Sequence, residues 1–139
     1  MSLADLTAGE TAFTTPFTVV RSDLVAYADA SGDHNPIHLD EAAAEAAGLP
    51  DVIAHGMYTM GLVSRAVLEW AASTGETLRL TEFSARFARP VVVPADGGAD
   101  LVVEAKVRRA DADSVELTVT VTSGGERVLA PARATLTAN

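Results

Sequence analysis

Apolar residues follow two spacings along this chain, helical up to about residue 72 and alternating from residue 78 onward. Leu24, Tyr27 and Ala28 recur at helical spacing after Ser22, which predicts a short helix over 22–30, capped by Ser22 and ended by Gly32, Asn35 and Pro36. Asp40 opens a second short helix that runs to about Ala47, where Gly48 and Pro50 stop it. The longest helix is predicted from His55 to about Ala72, because Met57, Met60, Val63, Val67, Leu68 and Ala71 lie three or four apart. Its small residues Gly56, Gly61, Ser64 and Ala66 let other backbone come close. After Gly75 the period becomes two. Leu78 to Phe87, Leu101 to Val107, Val115 to Val121 and Val128 to Leu136 read as strands, and Phe17, Val19 and Val20 add an early one. Gly97-Gly98, Asp111 to Asp113 and Gly124-Gly125 stand between the last runs at lengths that suit antiparallel hairpins.

A strand, then helices, then four strands in a row predict an α+β layer, with one long apolar helix against a curved antiparallel sheet. The 139 residues, 48% hydrophobic and 21% charged, are enough for one globular domain with a sizeable core and too few for two. There is no Cys, which excludes disulfides, zinc ribbons and thiol nucleophiles. A net charge of -9 speaks against a nucleic-acid or anionic membrane surface. The first residues lack a basic and apolar leader, and no run approaches the roughly 18 apolar residues of a membrane span, so a cytoplasmic protein is expected.

Charge is unevenly placed. No Lys or Arg occurs between Arg21 and Arg65, and that stretch holds all three histidines, His34, His38 and His55. Within it, Tyr27-Ala28-Asp29-Ala30-Ser31-Gly32-Asp33-His34-Asn35-Pro36-Ile37-His38 carries the chemistry. Gly32 and Asn35-Pro36 make it a turn, and Pro36 prevents a regular helix between the histidines. A carboxyl and an imidazole five residues apart on a tight loop can be aimed at one substrate, as proton transfer requires. The same residues suit a structural role, with Asp33 and Asn35 in Asx turns and His38 at a helix entry. Both readings stay open at this level. A metal site built from Asp33, His34, His38 and His55 is the weaker reading, because the interrupted helix does not put His34 and His38 on one face.

The aromatic residue followed by Ser31-Gly32-Asp33, any residue, Asn35-Pro36-Ile37-His38, with Ala44 beyond, resembles the hydratase 2 motif of MaoC-like proteins. That family includes (R)-specific enoyl-CoA hydratases and (3R)-hydroxyacyl-ACP dehydratases. The resemblance extends over nearly the whole chain, through Ala54-His55-Gly56-Met57 and Phe87-Ala88-Arg89-Pro90-Val91. The pairing of Ile53 to Met57 with Val91 to Gly97 is most similar to the catalytic B subunit of the mycobacterial type II fatty-acid-synthase dehydratase. Pro94 to Gly98 depart from the Gly-Asp pair that many members carry after the Pro-Val strand.

The resemblance implies a single hot dog domain over residues 1–139, in which a curved antiparallel sheet wraps a long central helix. It implies a hydro-lyase that interconverts (3R)-hydroxyacyl and trans-2-enoyl thioesters, with Asp33 and His38 as the catalytic dyad. The Gly56 N–H is then the oxyanion donor, which agrees with the unpaired N–H groups and favourable dipole of a helix N-terminus. Asn35 is expected to orient the loop or substrate, and Ser64 to hydrogen-bond Asp33. His55 is expected to be a capping or structural residue, Tyr27 to pack in the core, and Met57, Met60 and Leu62 to belong to the helix core more than to an acyl site. Arg86, Arg89, Arg108 and Arg109 are the candidate contacts for the phosphate of coenzyme A or acyl carrier protein. No cofactor or metal is expected. A dimer is, with a second copy or with another hot dog subunit; a thioesterase or a noncatalytic acyl-binding subunit are the competing functions.

Overall fold

The computed structural model describes residues 2–139. After a 3-10 turn at Leu3–Asp5, β1 (Thr11–Val19) leads into α1 (Arg21–Ser31), a second 3-10 turn at Pro36–His38, the short α2 (Glu41–Ala46) and α3 (Gly56–Ser73). β2 (Leu78–Phe87), β3 (Ala99–Ala110), β4 (Ser114–Ser123) and β5 (Glu126–Ala138) follow. All five strands form one antiparallel sheet in the order β1-β3-β4-β5-β2. The α+β layer is the one expected.

Alternation decides which sheet face is covered. Leu101, Val103, Ala105 and Val107 of β3, Val115, Leu117, Val119 and Val121 of β4, and Ala132, Ala134 and Leu136 of β5 are buried. They share one core with Val63, Ala66, Val67, Trp70 and Ala71 of α3, which recur at three and four residues. Each fully buried Leu or Val adds about 1.5–3 kcal/mol. Leu117→Ala is therefore expected to lower the unfolding free energy in urea by about 2–5 kcal/mol, and a loss below about 1 kcal/mol would contradict this packing.

Three local expectations are corrected. The first helix begins at Arg21 without a cap from Ser22; the Val20 N–H donates to the Asp23 carboxylate at 2.9 Å, so the acid one turn in satisfies the helix start. β1 spans Thr11–Val19 and excludes Val20, the residue before α1. Gly97-Gly98 does not close a hairpin, because β2 pairs with β5 and β3 pairs with β1 and β4. The connection crosses from one end of the sheet to the other, and on the way Val91 to Val93 run beside Val52 to Ala54.

Candidate active site

The loop after α1 is a chain of side-chain turns. Gly32 ends the helix in the left-handed region at φ 81°, and its N–H donates to the Ala28 carbonyl at 2.9 Å. The Asp33 N–H then donates to Ser31 Oγ at 3.1 Å, the Asn35 N–H to Asp33 Oδ1 at 3.1 Å, and the Ile37 N–H to Asn35 Oδ1 at 3.3 Å. Each polar residue fixes the backbone two positions on. The Asx turns of the structural reading are thus present, and they fix the backbone around Asp33 while its second oxygen has no recorded partner among the described residues. Asn35 holds the loop backbone through its Oδ1 bond to the Ile37 N–H.

His38 is anchored to a different segment. Its Nδ1–H donates to the Ile53 carbonyl at 2.7 Å, and the Ile53 N–H donates to the Ile37 carbonyl at 3.2 Å. Ile53 belongs to the short ladder in which the Ala54 N–H meets the Val91 carbonyl at 2.9 Å and the Val93 N–H meets the Val52 carbonyl at 2.8 Å. Arg21 ties this ladder to α1 and α2, through the Val93 carbonyl, Asp51 at 2.8 Å and Glu41 at 3.2 Å. With Nδ1–H held by a carbonyl, Nε2 is the nitrogen left for a ligand.

These anchors bring Asp33, His38 and His55 together. One carboxylate oxygen and one ring nitrogen from each histidine lie within 4.8 Å of one another. Asp33 is exposed, while both histidines are buried. The histidine rings stack with centroids 3.9 Å apart and planes 24° apart. Lone pairs in two stacked rings run side by side and do not converge, which does not suit one ion held at about 2.1 Å by both. His34 is exposed and lies outside the cluster.

Beside the cluster lies a cavity of 330 Å³. Its walls are mostly apolar, from Ile53, Ala54, Val91, Val128, Leu129 and Phe87, with His38, Thr59 and Arg89 as polar members. Gly56 lines it at the first turn of α3, where the N–H groups have no acceptor within the helix. Phe87 covers this glycine so closely that a Cβ there would stand 2.9 Å from two ring carbons. A register shift between Val119 and Val121 turns Leu129 inward along with Ala132, which supplies one cavity wall.

Other expected residues are placed differently. The Ser64 hydroxyl donates to the Met60 carbonyl at 3.1 Å, one turn back on its own helix, and not to Asp33. Met57 is 62% exposed and so is not core; Leu62 packs on the core and Met60 is half-buried, and none of the three lines the cavity. Tyr27 is half-buried and is not a member of the main core; it stands edge-on to His55 at 4.8 Å and to Tyr58 at 5.4 Å, and Tyr58 packs against that core. Sequence reasoning missed Phe87 and Thr59 as cavity residues: one looks like an ordinary strand aromatic and the other like a helix-surface polar residue.

The four arginines separate, and Arg86 is exposed on β2 and does not line the cavity. Arg89 lines the cavity and pairs with Glu126 at 3.1 Å. Arg108 and Arg109 instead meet Glu116 at 2.8 Å each on the outer side of the sheet, where a bulge sets both against it. Burial pushes the Glu116 carboxyl up, but the two guanidinium groups outweigh it and hold the carboxyl below the usual glutamate range. A depressed carboxyl stabilises the fold above its unfolded pKa of about 4.3, and that contribution fades as pH falls through the lower folded value. Glu116→Gln is expected to flatten the acid side of the stability profile below about pH 4.3. Equal acid slopes for both proteins in urea titrations would refute the pairing.

Five antiparallel strands around one long helix, with a cavity at the start of that helix, define a hot dog protein. The family model described as the MaoC like domain matches residues 5–125, and the chain belongs to that family. It is similar to a solved MaoC-like dehydratase at 35% identity and TM-score 0.90, over 99% of this chain and 42% of that one. It is also similar to the R-hydratase PhaJ1 from Pseudomonas aeruginosa at 30% identity and TM-score 0.81, over 99% of this chain and 84% of that one. The 3-hydroxyacyl-thioester dehydratase X of Mycobacterium tuberculosis is 44% identical over 72 residues, which are 52% of this chain. The chain spans only 24% of that curated relative. Among the described residues no helix is long and apolar enough to cross a membrane.

Proposed function

We propose that this chain is a hydro-lyase that reversibly hydrates trans-2-enoyl thioesters of coenzyme A or acyl carrier protein to (3R)-3-hydroxyacyl thioesters. One observation carries the reading: an Asp33 oxygen and a His38 ring nitrogen share a spot 4.8 Å or less across, beside an apolar cavity that reaches Gly56. Hydration adds a hydroxyl at C3 and a proton at C2 while negative charge builds on the thioester oxygen. Asp33 and His38 hold the water and move the two protons, and the Gly56 N–H donates to the thioester oxygen. The (R) course is taken from the names of the similar R-hydratase and the dehydratases.

Crotonyl-CoA is the test substrate. Loss of its enoyl absorbance without release of thiol is expected; thiol release would indicate a thioesterase, and no change would indicate an acyl-binding subunit. Arg89 lines the cavity and is the arginine we propose for a phosphate of the carrier. Arg89→Ala is expected to raise KM for crotonyl-CoA about 2–5-fold with kcat unchanged, the size of an exposed charge contact. An unchanged KM would remove it from the binding path.

Assembly follows from what the single chain leaves open. β1 and β2 each have one free edge, and α3 exposes Met57 and Leu68. We propose that a second hot dog subunit, identical or different, covers them. Light scattering at a dimer mass for the chain alone would establish the homodimer; a monomer that dimerises only with a coexpressed partner would establish the heterodimer.

A further inference from the structure

The reaction as proposed leaves one buried titratable side chain without a task. His55 is 2% exposed and precedes α3. Its Nε2–H donates to the Asp33 carbonyl at 3.0 Å, across 22 residues of sequence. Nδ1 is buried and has no hydrogen-bond partner among the described residues. One ring face stacks on His38, and Tyr27 meets the ring edge-on. A phenyl ring would make the same stacks and would bury no unpaired nitrogen. What the imidazole alone adds is the N–H to Asp33.

That bond matters because of how little else holds the carboxylate loop. Residues 32–35 are otherwise fixed by local bonds, to Ala28, Ser31, Ile37 and His38 and among themselves. Among the described residues, the bond from His55 is the one recorded hydrogen bond that ties this stretch to a distant part of the chain. The same residue sets the start of α3, since its carbonyl accepts from the Tyr58 and Thr59 N–H groups at 3.1 and 3.3 Å. One rigid group therefore spans the carboxylate loop, the His38 ring and the helix start at Gly56.

We propose that His55 is the positioning residue of this site, fixing Asp33 relative to His38 without touching substrate; the inference rests on the hydratase reading above. Carbonyl partners also set the tautomers, with the proton on Nδ1 in His38 and on Nε2 in His55. His55→Phe keeps the stacks and loses the N–H, whereas the amide of His55→Gln reaches the Nε2 position and can restore it. For crotonyl-CoA hydration, His55→Phe is expected to lower kcat about 100-fold with KM changed little, the cost of roughly 1 Å of misplacement. Melting temperatures measured alongside should stay within a few degrees of wild type, and His55→Gln should recover most of the loss. Wild-type kcat in the Phe variant, or a Gln variant as slow as the Phe one, would overturn the assignment. Nitrogen-15 spectra of the wild-type histidines give a readout that needs no turnover: the Nε2–H form of His55 is expected, and the Nδ1–H form would overturn it. Wild-type protein without hydratase activity would instead refute the hydratase reading itself.

Discussion

His38→Asn is expected to lower kcat for crotonyl-CoA hydration by about 10²–10⁴-fold, the usual worth of a positioned general acid or base. Asparagine is the informative replacement. The Nδ1–H of His38 donates to the Ile53 carbonyl, and an Asn amide nitrogen branches from the same carbon, so it can keep that bond. What it lacks is Nε2. His38→Ala removes both, and leaving the partner carbonyl unpaired costs a further 1–3 kcal/mol or so of stability. A slow Asn variant that melts near wild type would therefore report lost proton transfer. An Asn variant with wild-type kcat would take His38 out of the chemistry.

The second large effect belongs to Asp33→Asn, with a loss of kcat also of about 10²–10⁴-fold. Here too the substitution spares the scaffold. The Asn35 N–H donates to Asp33 Oδ1, and an amide oxygen accepts in the same place, so the Asx turn survives. The His55 bond goes to the backbone carbonyl and does not depend on the side chain. An unchanged melting temperature with kcat in that range is the expected pair of results. Wild-type kcat would return the loop to a purely structural role.

Much of the fold is legible in the residues, and the parts that are not share a cause. β3, β4 and β5 alternate cleanly and are joined by Asp-rich or Gly-rich turns, so local rules suffice. β1 carries Thr11, Thr14, Thr15 and Pro16 and alternates weakly. It is an edge strand paired only with β3, where a proline is tolerated. That β2 lies beside β5 is a pairing across some fifty residues, which no local period encodes. Met57 and Leu68 fit the helical stripe and yet are exposed, because the stripe records apolar spacing and not which of its positions the sheet of this chain covers.

The site divides the same way. Asp33, Asn35 and His38 stand close in sequence, and loop-forming residues between them announce a tight turn. Ser64 was expected to reach Asp33, but a hydroxyl on a helix has a carbonyl of its own one turn back and takes that nearer acceptor. His55 acts through a backbone carbonyl 22 residues away, and Phe87 through its approach to a glycine on another element. Neither leaves a local signal. Both become visible only once the Val52–Ala54 and Val91–Val93 segments are seen side by side.

The most direct test of the central claim is a double-mutant comparison of crotonyl-CoA turnover by wild type, Asp33→Asn, His38→Asn and the two combined. Groups that serve one substrate as a unit are strongly non-additive. The combined variant is thus predicted to stay within about tenfold of the slower single variant. A combined loss equal to the product of the two single losses, or wild-type turnover in either single variant, would show that the carboxylate and the imidazole do not work together.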